Sequence, residues 1–173
     1  KQPYQGKYGE LSSLMLGSAR QLAKAWLEFG NVYALDVESV LRFLDVTRKQ
    51  VKDKKNLIWL DYDEAKCFIK AQRYDDARKF VIPVLKKKKN ESWAWGALAA
   101  TYLKQDQTTA IKLFAEGLSH AHDEKFALKL LKGLAPLLAR AGHENEASMC
   151  VKRALTCYEE NGWRIKDDLQ RMI

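Results

Sequence analysis

The chain has 173 residues, of which 47% are hydrophobic and 30% are charged, and this is enough to bury one substantial core. With only 3 prolines and 9 glycines it has few breakers for a fold of many short strands, so we expect an all-α protein. Thirty Lys and Arg against 22 Asp and Glu give a net charge of +8 and a pI near 9.3. Acidic proteins, nucleic acid and anionic membranes would all be attracted over long range.

The cysteines and the apolar runs indicate the compartment. Cys67, Cys150 and Cys157 form no CxxC pair, which predicts free thiols in a reducing, cytoplasmic compartment. No apolar run approaches the roughly 18 residues of a membrane span, and no leading segment resembles a signal peptide. Because the first residue is Lys1 rather than Met, we expect the chain to be part of a longer protein.

Residues 1–56 predict an N-terminal pair of helices packed on the rest of the chain. Apolar residues recur every three or four positions over residues 10–29, which is the spacing of one face of an α-helix. Asp36 is the expected N-cap of a second helix, with Leu35 and Val40 placed as a hydrophobic staple.

From residue 57 to residue 160 the sequence repeats. The second helix of each unit carries an alanine followed at four, seven and eight positions by apolar or small residues. These alanines are Ala77, Ala110 and Ala147. A first helix precedes each of them, and the small residues at the crossing allow two antiparallel helices to approach closely.

The best copy of this pattern resembles the tetratricopeptide repeat (TPR) family. Its matching residues are Trp95, Leu98, Ala99, Tyr102, Ala110 and Phe114. The resemblance covers about three degenerate repeats over residues 57–160 and implies an all-α, right-handed superhelix of antiparallel helix pairs, a TPR-like α-solenoid. In the first repeat Asp61 and Glu64 replace the expected Trp and Leu. Residues 161–173 predict a short capping helix or a truncated repeat.

Catalytic and metal-binding signals are weak. His120 and His122 lie beside Asp123 and Glu124, but no fourth fixed ligand from elsewhere accompanies them, so we interpret them as a solvated loop rather than a metal site. The sequence has no glycine-rich phosphate loop, no HExxH and no G-x-S-x-G. We therefore predict no enzyme activity, no metal and no cofactor.

The TPR resemblance implies that the first helices line a concave face that binds extended peptides. The positions expected on this face include six basic residues and no acidic one, and two tryptophans stand at equivalent places. The predicted partner-binding residues are Trp59, Tyr62, Lys66, Lys70, Trp93, Lys104, Lys129, Lys132 and Arg140. An aromatic ring beside a cation suits both peptide anchors and stacked bases, although Trp59 and Trp93 at helical spacing equally fit packing between repeats.

Two other features bear on the partner. The run Lys86-Lys87-Lys88-Lys89 ends a predicted helix, where cations compensate the helix dipole, and we interpret it as a solvated face in preference to an anion-binding rim. Some members of the family clamp the carboxylates of chaperone C-termini with asparagines and lysines. In this chain Gly96, Ala97 and Ala100 stand where that asparagine is needed, which argues against a chaperone clamp.

The sequence therefore predicts a non-enzymatic protein-interaction module whose basic, aromatic groove binds an acidic, extended segment of another protein. Two alternatives stay open. The same groove could bind RNA or single-stranded DNA, or the domain could be a structural or oligomerising arm of a larger enzyme or defence protein.

Overall fold

A computed structural model describes residues 5–6, 9–10, 14–30, 36–51 and 55–165. Two two-residue strands, β1 (Gln5–Gly6) and β2 (Gly9–Glu10), pair antiparallel, with Gln5 opposite Glu10. Within the described residues eight helices follow. They are α1 (Leu14–Phe29), α2 (Val37–Gln50), α3 (Leu57–Lys70), α4 (Tyr74–Lys87), α5 (Ser92–Ala100), α6 (Gln107–Ser119), α7 (Glu124–Arg140) and α8 (Glu144–Glu160).

The N-terminal helices differ from the prediction in one respect. Glu10 belongs to β2 rather than to the first helix, and the described part of that helix begins at Leu14. The predicted N-cap of α2 is confirmed, because the Asp36 carboxylate accepts hydrogen bonds from the backbone N–H groups of Glu38 and Ser39. The proposed staple residue Leu35 and residues 166–173 lie outside the described residues.

The chain forms two compact units, residues 1–84 and 85–173. The division falls inside α4, whereas the sequence predicts an organisation into residues 1–56, 57–160 and 161–173, which stays a prediction. In unit 1, α1 and α2 pack against α3, and α4 contributes Ala77 to the same core. Its buried residues are Leu16, Ala19, Ala23, Trp26, Val40, Leu41, Leu44, Leu60, Cys67, Phe68 and Ala77.

Ion pairs explain why α3 departs from the TPR pattern at Asp61 and Glu64. Arg48 of α2 donates hydrogen bonds to Asp61 and to the buried carboxylate of Glu64, and its guanidinium lies 4.8 Å from the centroid of the Phe80 ring. Polar side chains therefore stand where Trp and Leu are expected because they face an arginine of the N-terminal helix pair rather than an apolar neighbour. Burial raises the pKa of Glu64, and the hydrogen bond from Arg48 opposes that shift.

In unit 2, glycines allow three helices to approach closely. A Cβ atom on Gly96 of α5 would lie 2.7 Å from Leu130 of α7, and one on Gly117 of α6 would lie 3.1 Å from the same leucine. A Cβ atom on Gly133 of α7 would lie 2.7 Å from the ring of Phe114. Gly96, which the TPR pattern places on the binding face, thus also serves the packing between helices.

Gly133→Ala should destabilise unit 2 by about 1–3 kcal/mol, because the buried Phe114 ring cannot move aside without disturbing its neighbours. Gly17→Ala is the matched control, because no atom lies within 4 Å of the added methyl group, and alanine should stabilise α1 by roughly 0.5–1 kcal/mol. Urea unfolding of both variants measures the difference. Equal stabilities would show that the contact between α6 and α7 is not close.

Candidate functional site

The predicted partner-binding residues are distributed over both units. Unit 1 carries Trp59, Tyr62, Lys66 and Lys70, all on α3. Unit 2 carries Trp93 on α5, Lys104 in the turn after α5, and Lys129, Lys132 and Arg140 on α7. Each unit therefore presents its own set of cations and aromatic rings.

Lys70 has a structural role that the sequence analysis missed. Its ammonium group donates hydrogen bonds to the backbone carbonyls of Trp26, at 3.1 Å, and Leu27, at 2.8 Å, and lies 5.0 Å from the centroid of the Trp26 ring. These carbonyls belong to the last turn of α1, where a cation compensates the helix dipole. The ammonium group of Lys70 is therefore engaged within unit 1.

A compact group of charges and rings lies around Asp63 of α3. Asp63 is 1% exposed, and its carboxylate contacts Arg20 of α1 at 2.7 Å and Lys66 at 2.6 Å. Arg20 lies 5.7 Å from the Trp59 ring centroid, and Lys66 lies 4.5 Å from that of Tyr62. Burial, together with the negative charge of Asp63, raises the pKa of Tyr62 to about 12, so this phenol stays protonated.

A single face of α7 forms the most basic surface of unit 2. Its cations are spaced so that they share one side of the helix, and we call Lys125, Lys129, Lys132 and Arg140 the α7 basic face. All except the partly buried Lys132 are exposed. The opposite side is buried against α6 and α8. Its residues are Ala127, Leu130, Leu131, Leu134, Ala135 and Leu137.

No acidic residue of α7 lies on this basic face. Glu124, the one acidic residue of the helix, pairs instead with Arg153 of α8 through two hydrogen bonds of 2.8 and 2.7 Å. The sequence analysis missed Lys125 because it precedes the positions that the TPR pattern assigns to the concave face. Its spacing of four and seven residues from Lys129 and Lys132 was the signal that could have identified it.

Other candidate residues of unit 2 have local partners. The indole N–H of Trp93 donates to the Glu91 carboxylate at 3.2 Å, and Trp93 is half-buried. Lys104 is exposed in the turn after α5. In the lysine run 86–89, three side chains are exposed and that of Lys88 is partly buried. The carbonyl of Lys89 accepts a hydrogen bond from the Trp95 indole at 2.7 Å.

The loop that the sequence analysis considered for metal binding holds structural contacts instead. The His120 ring stacks on Trp95 and lies 3.2 Å from the Glu116 carboxylate, and Asp123 caps the N-terminus of α7. Within the residues that the structure describes, no group of three or more His, Cys, Asp or Glu side chains could hold a metal ion.

Burial disfavours the thiolate form of the three cysteines. All three cysteines are free, and burial raises the pKa of Cys67 to about 12. Burial also raises the pKa values of Cys150 and Cys157. A thiol that stays protonated at neutral pH reacts slowly, so these residues have the character of packing groups.

Lys70→Met should destabilise unit 1 by about 1–3 kcal/mol, because methionine keeps the apolar stem but leaves two carbonyls of α1 without their charged donor. The control is Arg140→Met at the end of α7, where the side chain is exposed and the expected change is within about 0.5 kcal/mol. Chemical denaturation measures both changes. A Lys70→Met variant as stable as the control would contradict the capping role.

Comparison with known proteins identifies the family and the fold. A family model described as "Domain of unknown function (DUF7017)" matches residues 58–173, while no curated protein matches the sequence. A solved structure of MamA from Desulfovibrio magneticus RS-1 (residues 41 to the end) shares 14% identity, with a TM-score of 0.65 over 84% of this chain and 76% of that one. The crystal structure of BtubC from P. vanneervenii shares 16% identity, with a TM-score of 0.69, and the match covers 94% of this chain and 70% of that one.

These neighbours are TPR-like helical repeat proteins, so the predicted fold class is confirmed. Among the described helices, none combines the length and the apolar character needed to cross a membrane. The chain belongs to the DUF7017 family, and the family's matched region has the all-α, TPR-like α-solenoid fold.

Proposed function

We propose that this chain is a non-enzymatic protein-interaction module that binds an acidic, extended segment of another protein on the α7 basic face. The observation that supports this most directly is the arrangement of four cations along one exposed side of α7 with no acidic residue among them. Trp93 and Lys104 of the same unit are proposed as further contacts.

The dimensions of this face suit a short extended peptide. From Lys125 to Arg140 the helix rises by about 22 Å, a length that about six or seven residues of extended chain would span. A surface with one sign of charge raises the rate of encounter with an oppositely charged partner. Alternating acidic side chains of such a segment would therefore meet a cation at several points along α7.

The residues between the cations favour a peptide over nucleic acid. Pro136 and Ala139 stand between Lys132 and Arg140, and neither offers an aromatic ring on which a base could stack. The Trp163 ring, whose centroid is 5.7 Å from the Lys125 ammonium group, lies at one end of the face. Phe126 is 64% exposed, but on a helical wheel it flanks this face rather than lying on it. RNA or single-stranded DNA is thus the less favoured ligand, and competition with an oligonucleotide tests it.

In unit 1, we propose Trp59, Tyr62 and Lys66 as a separate partner-binding face. Two cation–ring contacts hold this face in place. The free thiols of the chain fit a reducing compartment, which keeps the cytoplasm as the proposed location.

Lys129→Glu combined with Lys132→Glu should weaken binding of a fluorescein-labelled, terminally blocked hexaglutamate peptide at least about tenfold, because attraction becomes repulsion at the centre of the basic face. Fluorescence anisotropy at low salt measures the affinity, and circular dichroism checks that the helices remain folded. The matched control is Lys87→Glu with Lys88→Glu, which changes the net charge equally.

If the control loses binding and the α7 variant keeps it, the lysine run is the site and the proposal for α7 is wrong. An oligouridylate or oligothymidylate that displaces the peptide at far lower concentration than unlabelled hexaglutamate would favour the nucleic-acid alternative. Unchanged binding in both variants would show that the positive charge of unit 2 does not recognise the peptide.

A further inference from the structure

Arg20 is held in an orientation that leaves the four N–H donors of its terminal nitrogens unused among the described residues. Its Nε–H donates to Oδ2 of Asp63 at 2.7 Å, and Asp63 is 1% exposed while the Arg20 side chain is 31% exposed. Among the described residues, no hydrogen bond is formed by the two terminal nitrogens of Arg20. A guanidinium fixed through Nε can present its Nη1–Nη2 edge to a second anion.

A second cation lies beside it on the same carboxylate. The ammonium group of Lys66 is 2.6 Å from Oδ1 of Asp63, with 26% of its side chain exposed. That oxygen has no hydrogen bond of good geometry within the described part of the chain, so Lys66 compensates it through charge. Two cations and one carboxylate leave this group with a net charge of +1.

Aromatic rings orient both cations. The Arg20 guanidinium lies 5.7 Å from the Trp59 ring centroid, and the Lys66 ammonium lies 4.5 Å from the Tyr62 ring centroid. Such contacts restrict the rotamers of long, flexible side chains. Asp63 is buried and Tyr62 is half-buried, whereas Trp59 is 37% exposed. Because these groups hold both cations in the unliganded chain, the cations are arranged before any ligand arrives, which lowers the entropy cost of binding.

We propose that Arg20 and Lys66 form a carboxylate-binding site in unit 1, with Asp63 beneath and Trp59 alongside. The inference rests on the proposed function, because the ligand would be one Asp or Glu side chain of an acidic peptide segment. A carboxylate is planar, matches the guanidinium fork with two parallel hydrogen bonds, and brings the charge of the group to zero. A phosphate dianion would leave an excess negative charge next to the buried Asp63.

The site can be observed without any assay of partner function. The ¹⁵N-labelled chain is titrated with the blocked hexaglutamate peptide while the Nε–H signal of Arg20 and the indole N–H signal of Trp59 are followed by NMR. Trp59→Phe assigns the indole signal. Both signals should shift with one dissociation constant, and acetate should shift them in the same direction at much higher concentration.

Arg20→Lys is the discriminating variant, because lysine still pairs with Asp63 but cannot donate two parallel hydrogen bonds to a second carboxylate. The dissociation constant read from the Trp59 signal should rise at least about tenfold, while Arg42→Lys, an exposed arginine of the same unit, should leave it unchanged. Amide spectra of both variants show whether unit 1 remains folded. An Arg20→Lys variant with the parent's affinity, or parent signals that never shift, would overturn the proposal. A larger response to inorganic phosphate than to acetate at equal ionic strength would also overturn it.

The same titration distinguishes failure of the carboxylate site in unit 1 from failure of peptide binding on α7. In the Lys129→Glu, Lys132→Glu variant, signals of Arg20 and Trp59 that still shift establish the carboxylate site independently of α7. If α7 signals respond to the peptide in the parent and those of Arg20 and Trp59 do not, the site in unit 1 is rejected while the proposal for α7 stands.

Discussion

Close helix crossings over small residues determine which side chains of unit 2 are exposed. Gly133 leaves room for the Phe114 ring, and Leu130 lies between Gly96 and Gly117. These contacts are made by the apolar side of α7, which faces α6 and α8. The cations of α7 are then left on the exposed side, so the packing of the interior determines the chemistry of the surface.

In unit 1, buried ion pairs determine how the helices pack. Asp63 and Glu64 of α3 are buried, and arginines from the two preceding helices, Arg20 and Arg48, pair with them. Burying a carboxylate is unfavourable unless it is paired, so these ion pairs fix how the N-terminal helices meet α3. The cost of burial shows in the raised pKa of Glu64, which the hydrogen bond from Arg48 only partly offsets.

The sequence predicted the features that depend on local spacing. The recurring alanines indicated the helix pairs, and the side chain of Asp36 indicated where α2 begins. The sequence did not predict the contacts between residues far apart in the chain. Lys70 bonds to carbonyls 43 and 44 residues earlier, and Arg20 pairs with Asp63 across 43 residues. Nothing in the spacing of one helix reveals which neighbour its polar residues will meet.

Lysine footprinting tests the central claim most directly. The chain is acetylated with a limiting reagent, with and without the blocked hexaglutamate peptide, and the modified sites are identified by mass spectrometry. We expect the peptide to protect Lys125, Lys129 and Lys132, while the exposed Lys86, Lys87 and Lys89 keep their reactivity and act as internal controls. Protection of residues 86–89 with none on α7 would contradict the account, because the basic face would then not be the binding surface.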